Sequence, residues 1–343
     1  MKTTQRIEYI DAMRGCTMIL VVYSHVCGFC FGSPAMGGND VLFLFRLPCF
    51  FFISGWLFEK VGRRWSGVET WAVIRRKFRV QVVPTFIFLL LLAPPPLFFS
   101  RLGATKGGYW FTFVLFEFFL LCIFSERFLK RFALVFALLV SVAAFCYDVY
   151  FSRLQAILWE APRAPSCVQY LRYALGFLSF MTWRYYLFFF LGTWAKRHAD
   201  LFLQLTSRPL VVLLVGLAFV SVAALPRTES AAAAFLVFAV GGVSGLTLVF
   251  TLFRHCWHRC SGLALCRPLP FIGRRTLDIY LLHYFFLPRF LVAYSPQLLA
   301  YDSHLVEALA ALGVALPVVA LSLLASRVIR YSPFLAHWLF GSD

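Results

Sequence analysis

Charge is scarce in this sequence, and negative charge is scarcer still. Only 14% of the 343 residues are charged, and 15 acidic residues stand against 32 basic ones. A soluble domain carries about a quarter charged residues, so a water-soluble globular fold is excluded. No polar stretch is long enough to form a soluble catalytic domain, and any chemistry must be done by the apolar part of the chain. Cysteine is present but without the arrangement of a disulfide framework: the ten residues are scattered, several inside apolar runs (Cys16, Cys49, Cys122). Cys27 and Cys30 form a C-x-x-C, yet it lies in an apolar helix with no redox-fold context. The crowded "HCWHRC" at 255–260 fits no standard zinc spacing, so no metal site is expected.

What the sequence has is apolar surface. Hydrophobic residues make up 61% of the chain, and phenylalanine alone occurs 41 times. Continuous runs near 20 residues recur along the whole length, as helices crossing a bilayer core of roughly 30 Å require. Strands of a membrane barrel would alternate, and these runs do not. The expected fold is all-α, a polytopic transmembrane helical bundle forming one domain over residues 1–343. About ten spans are read from the apolar runs, at roughly 12–32, 40–58, 74–93, 109–124, 132–148, 176–195, 209–225, 232–253, 271–290 and 305–326.

The net charge of +17 does not point to nucleic acid, because the basic residues cluster in alternate loops. With the N-terminus in the cytoplasm the inner segments hold most of the Lys and Arg, among them Arg63, Arg64, Arg75–Lys77, Arg131, Arg274 and Arg275. Both termini are then cytoplasmic. Glu8 and Asp11 precede the first apolar run and His25 interrupts it, which argues against a cleaved signal. The longest outer connection, about 149–175, mixes Trp, Arg and apolar residues in the manner of an interfacial helix or lid.

Against this background the embedded polar residues stand out. In "DAMRGCTMILVVYSHVCG" Asp11 and Arg14 are three apart and close enough to pair. Arg14 and His25 are eleven residues apart, about three turns, so they share a face with about 16 Å between them along the axis. An ionisable group at that depth usually faces the bundle interior or a wet cavity. The second span, "FRLPCFFFISGWLFEK", carries Ser54 and Gly55, small residues that allow close helix approach and supply a hydroxyl. Arg76 and Arg79 are three apart at the start of the third span and suit bidentate phosphate recognition, whereas Arg75 and Lys77 read as topology anchors. Glu117 in "YWFTFVLFEFFLL", and Asp278, Tyr280 and His283 in "FIGRRTLDIYLLHYFFLP", are candidates to line the same cavity as His25.

Together these passages resemble the membrane-bound acyltransferase-3 family. Arg14, ten intervening residues and His25 match its first-span motif, and Arg76 with Arg79 its paired-arginine motif. "FRLPCFFFISGWL" and "IGRRTLDIYLLH" are similar to its second-span and late passages, and "YWFTFVLF" to its Leu-Trp-Phe-Leu segment, with Tyr109 and Thr112 in place of leucines. The resemblance runs from Arg6 to about residue 330 and implies a member without a fused esterase-like domain. It implies transfer of an acyl group, usually acetyl, from acyl-CoA to a hydroxyl of a glycan or lipid-linked saccharide. No permanently bound cofactor is implied, and membrane lipids are the other partner. The expected location is a bacterial inner membrane.

On that reading His25 is the catalytic base, Asp11 orients Arg14, and Arg14, Arg76 and Arg79 hold the donor's phosphates. An acyl-histidine intermediate is the other mechanistic option. A proton-coupled transporter is the alternative of a different class, since embedded His, Glu and Asp also build proton relays. The chain shows no internal repeat and no matched pair of broken helices, which speaks against it.

Overall fold

The computed structural model describes residues 7–60, 66–92, 106–158, 174–225 and 230–341. It is all-helical throughout these residues. The helices that matter below are α1 (Glu8–His25), α2 (Asn39–Phe58), α3 (Gly67–Lys77), α4 (Val83–Leu92), α5 (Trp110–Phe124), α6 (Ala133–Leu158), α7 (Tyr186–Arg197), α8 (Ala199–Leu205), α9 (Pro209–Ala223), α10 (Ala231–Cys260), α11 (Leu269–Arg274), α12 (Thr276–Phe286), α13 (Ser295–Leu299), α14 (His304–Ile329) and α15 (Pro333–Phe340). The expected interfacial segment at 149–175 lies mostly outside the described residues.

Among the described residues, five helical stretches are long and apolar enough to cross a membrane: Glu8–Cys30, Met36–Phe58, Trp110–Tyr150, Ala232–Cys260 and His304–Ile329. Two bent pairs, α8 with α9 (75°) and α12 with Arg289–Leu299 (63°), bring the number to seven. This is fewer than the ten read from the apolar runs, and the reasons are local. The third run, at 74–93, begins with Arg75, Arg76, Lys77 and Arg79, and its helix is broken by a π-helical turn at Phe78–Val82. The sixth run, 176–195, is opened by a 3-10 turn at Phe180–Tyr185, leaving α7 only 12 residues long. Trp110–Tyr150 is continuous in length but not in direction. Lys130 adopts φ 40° between α5 and α6, and the rings of Phe124 and Phe136 come within 5.8 Å. Twelve residues of straight helix would separate them by about 18 Å, so the chain turns back here.

The residues cluster in two compact units. The first comprises 1–53, 199–226 and 237–332, and the second 54–198, 227–236 and 333–343.

In the first unit α1 is the central element. Its acidic Glu8 and Asp11 sit in the first turn, where they complement the helix dipole, and His25 sits in the last. It packs on α11 through a backbone-to-backbone crossing. A Cβ added at Gly15 would lie 2.1 Å from the Leu269 carbonyl oxygen, and one at Gly273 would lie 1.9 Å from that of Asp11. Only glycine fits either position. The crossing explains the glycine in "IGRRTLDIYLLH" and sets α12, which follows directly, alongside α1. A second glycine closes the loop after α1: Gly37 has φ +58°, its carbonyl accepts from the Tyr23 hydroxyl at 2.8 Å, and its N–H donates to Glu307 of α14 at 2.7 Å. A side chain there would strike both the Tyr23 hydroxyl and the Ala308 backbone.

The second unit is held by aromatic packing. Phe58, Phe119 and Phe189 interlock with centroids 4.6–6.0 Å apart, and Phe118 sets its ring edge against Tyr186 and Phe189. Gly55 lets α2 approach the Phe189 carbonyl of α7, where a Cβ would come within 2.0 Å. Ion pairs add to this packing: Arg197 bridges Glu59 and Glu126 at 2.9 and 3.0 Å, and Arg184 pairs with Asp148. Lys106 is 1% exposed and donates to the Phe177 carbonyl and, at 2.7 Å, to the Ser179 hydroxyl.

Candidate active site

The first unit brings together two histidines 258 positions apart in the chain. His25 Nδ1 lies 2.8 Å from His283 Nε2. The rings are within 8° of parallel with centroids 4.9 Å apart, so the short contact joins ring edges and is not a face-to-face stack. His25 ends the regular part of α1, and a π-helical turn at Val26–Cys30 follows it, a local irregularity frequent at functional sites. His283 sits in α12, carried to α1 by the Gly15–Gly273 crossing.

Hydrogen-bond partners fix the protons. His283 Nδ1 is 3.0 Å from the Ile279 carbonyl oxygen, which can only accept. His283 therefore carries its proton on Nδ1, and its Nε2 holds a lone pair. That lone pair accepts from His25 Nδ1–H. His25 Nε2 is then left as the basic nitrogen, with the Tyr284 hydroxyl 3.4 Å away as a weak donor to it. His283 is fully buried, whereas His25 is partly exposed. Exposed Phe29 lies beside His25, its ring 5.8 Å away, and the Arg289 guanidinium stands over Phe29 at 5.7 Å.

A further polar group adjoins the pair. Asn39 donates to Ser24, the neighbour of His25, at 3.3 Å and accepts from Arg46 at 2.9 Å. Arg46 is 4% exposed, so it does not snorkel to an interface.

The other residues singled out from the sequence have these surroundings. Asp11 is buried and faces Arg274 at 3.9 Å. It is 14 residues from His25, about 21 Å along α1, too far to touch a group reacting there. Arg14 is partly buried on the same helix. Asp278 does not turn to the histidine pair: it is bound bidentately by Arg330, with both bonds at 2.9 Å, and accepts from Ser326 at 2.5 Å. Tyr280 packs 6.0 Å from the His283 ring, centroid to centroid. Ser54 and Glu117 belong to the second unit, where Glu117 accepts from Trp183 Nε1 at 2.8 Å. Arg76 lies exposed in the last turn of α3 and Arg79, partly buried, in the π-helical turn after it. The change of helical period falls between them, so the shared face expected of an uninterrupted α-helix is not kept. Lys77, read as an anchor, instead stands 4.2 Å over the Phe119 ring.

Tyr284, Asn39, Arg46, Ile279 and Glu307 complete these networks without having been picked as site residues. Only Arg46 carried a signal, as a charge near an apolar run. A backbone carbonyl such as that of Ile279 leaves none.

Multi-pass helical architecture with a paired His25 and His283 in its first unit defines a helical membrane protein. The family profile of the acyltransferase-3 family, described as an acyltransferase domain, matches residues 7–327. The chain belongs to this family and is a membrane acyltransferase. No match was found among curated proteins or solved structures.

Proposed function

We propose that this acyltransferase moves an acyl group, acetyl in the first instance, from acyl-CoA to a hydroxyl of a glycan or lipid-linked saccharide, with His25 as general base. The supporting observation is the chain Ile279 C=O, His283, His25, which leaves Nε2 of His25 as the basic nitrogen, met only by a long contact from the Tyr284 hydroxyl. His25 Nε2 takes the proton of the acceptor hydroxyl as its oxygen attacks the thioester carbonyl. The positive charge that forms on His25 is met by the lone pair of His283 Nε2. The tetrahedral intermediate collapses by breaking the C–S bond, and His25 returns the proton to the departing thiolate. An ester and free CoA result.

His283 is thus a positioning residue. Asp11, distant from the reacting atoms, holds Arg274 and the end of α1. Arg14 is assigned to the donor phosphates on the first-span motif, and Arg76 and Arg79 on the paired-arginine motif alone. The same reading keeps both termini cytoplasmic, from the distribution of basic residues, and takes a bacterial inner membrane as the setting from the family resemblance. The direct test is His25→Ala in purified protein. Acyl transfer should fall by about 10²–10⁴-fold with thermal stability kept, and wild-type turnover would end the assignment. Mass spectrometry of surface glycans with and without the gene should show a missing acyl increment and so identify the acceptor.

A further inference from the structure

Asp278 is not a free catalytic carboxylate, and what surrounds it forms a site of its own in the first unit. Arg330 grips it with two parallel bonds, and Arg275 lies 3.5 Å from it on the other side. Arg327, one turn before Arg330 on α14, is exposed and makes no hydrogen bond or ion pair among the described residues. These three arginines line one cavity of about 630 Å³ with Phe271, Leu323 and Leu324. Three guanidiniums are thus set against one carboxylate, and an excess of two positive charges faces an open volume. Apart from Ser326, whose hydroxyl is committed to Asp278, and the phenol of Tyr331, the rest of the wall is apolar, and Phe271, Leu324 and Tyr331 are 48%, 59% and 76% exposed, so the cavity is continuous with outward-facing apolar surface.

That combination selects its ligand. A small soluble anion would satisfy the arginines but leave the apolar wall unused, and a neutral lipid would do the reverse. Guanidinium forks match the oxygens of a phosphate in geometry as well as charge. The volume is that of an ordinary small-molecule site. We propose that Arg275, Arg327 and Arg330 form a binding site for the phosphate group of an amphiphile, whose apolar portion lies along Phe271, Leu323 and Leu324. The source that carries that chemistry is the headgroup of an anionic phospholipid, and this assignment does not rest on the proposed reaction.

Binding to the full-length protein, delipidated in neutral detergent, is measured by native mass spectrometry with phosphatidylglycerol, diacylglycerol and coenzyme A as probes. Arg330 is left intact, because removing it would strand the buried Asp278. Arg327→Ala and Arg275→Gln should each weaken phosphate-dependent binding about ten-fold or more, with part recovered in Arg327→Lys. Phosphatidylglycerol binding that follows these substitutions, with diacylglycerol not bound, supports the site and assigns it to a lipid headgroup. Coenzyme A binding that follows them, with phosphatidylglycerol binding unchanged, overturns the lipid assignment. Phosphatidylglycerol binding that is absent in the wild type or unchanged in both variants overturns the proposal. The measurement is repeated in His25→Ala, where binding should persist whether or not the acyl-transfer reading holds.

Discussion

Replacing Gly273 by alanine tests how the histidine pair is assembled. A Cβ at this position would sit 1.9 Å from the Asp11 carbonyl oxygen and 3.1 Å from the Gly15 nitrogen, whereas real Cβ atoms essentially never come within 3.0 Å of such neighbours. Both obstacles are backbone, so no side chain can move aside, and α11 must withdraw from α1 by about 1 Å. Overpacking of this kind costs about 1–3 kcal/mol. His283 is ten residues further along the same α11–α12 segment and shares the displacement. Its 2.8 Å bond to His25 would lengthen past the range in which it counts as a hydrogen bond. A misplacement of about 1 Å costs on the order of 10²-fold in rate.

Thermal unfolding of the purified variant and its acyl-transfer rate should therefore fall together. Gly15→Ala, whose Cβ would meet Leu269 O at 2.1 Å, should behave alike. The double substitution should cost less than the two singles combined, because one separation of the helices relieves both clashes. Gly313→Ala in α14, with nothing within 4 Å of the added atom, is the control and should be neutral or slightly stabilising. Wild-type stability in Gly273→Ala, or full additivity in the double variant, would refute the crossing as the element that sets the pair.

Four further outcomes are expected. His283→Ala should lower kcat by about 10²–10⁴-fold while the KM for acyl-CoA stays within a few-fold, since His25 loses its tautomer partner and the donor loses no contact; an unchanged kcat would remove His283 from the relay. Arg76→Ala or Arg79→Ala should raise the KM for acyl-CoA about ten-fold or more, and Arg75→Ala should not; equal, small effects in all three would make them anchors. Lys106→Met should destabilise the protein by a few kcal/mol in thermal unfolding, because the Phe177 carbonyl and Ser179 hydroxyl lose a buried donor; an unaltered melting curve would show that pairing to be dispensable. Cysteine labelling should reach exposed residue 35, beside the buried Met36, from outside and residues 130 and 265 from the cytoplasm; the opposite pattern would invert the orientation.

Composition alone determined the class of this protein. With 14% charged residues and continuous apolar runs, nothing but membrane-crossing helices was available, and the placement of arginines suggested which loops face the cytoplasm. The Arg14–His25 spacing and the late "IGRRTLDIYLLH" passage named the family and both histidines, because helical periodicity and motif spacing are local properties. What the sequence could not supply was which distant groups meet. His25 and His283 touch because two glycines let α1 and α11 cross at backbone contact, and no pattern around Gly15 announces its partner. The same limit misdirected the reading of Asp278: it looked like an embedded acid beside a histidine, but α14 brings Arg330 and Ser326 to it and takes its charge away from His25. Arg76 and Arg79 shared a face only on the assumption of an unbroken α-helix, whereas the structure has a π-helical turn that begins at Phe78 and contains Arg79. Local spacing fixes what a residue can do; which of those possibilities is used depends on the neighbour that the tertiary structure supplies.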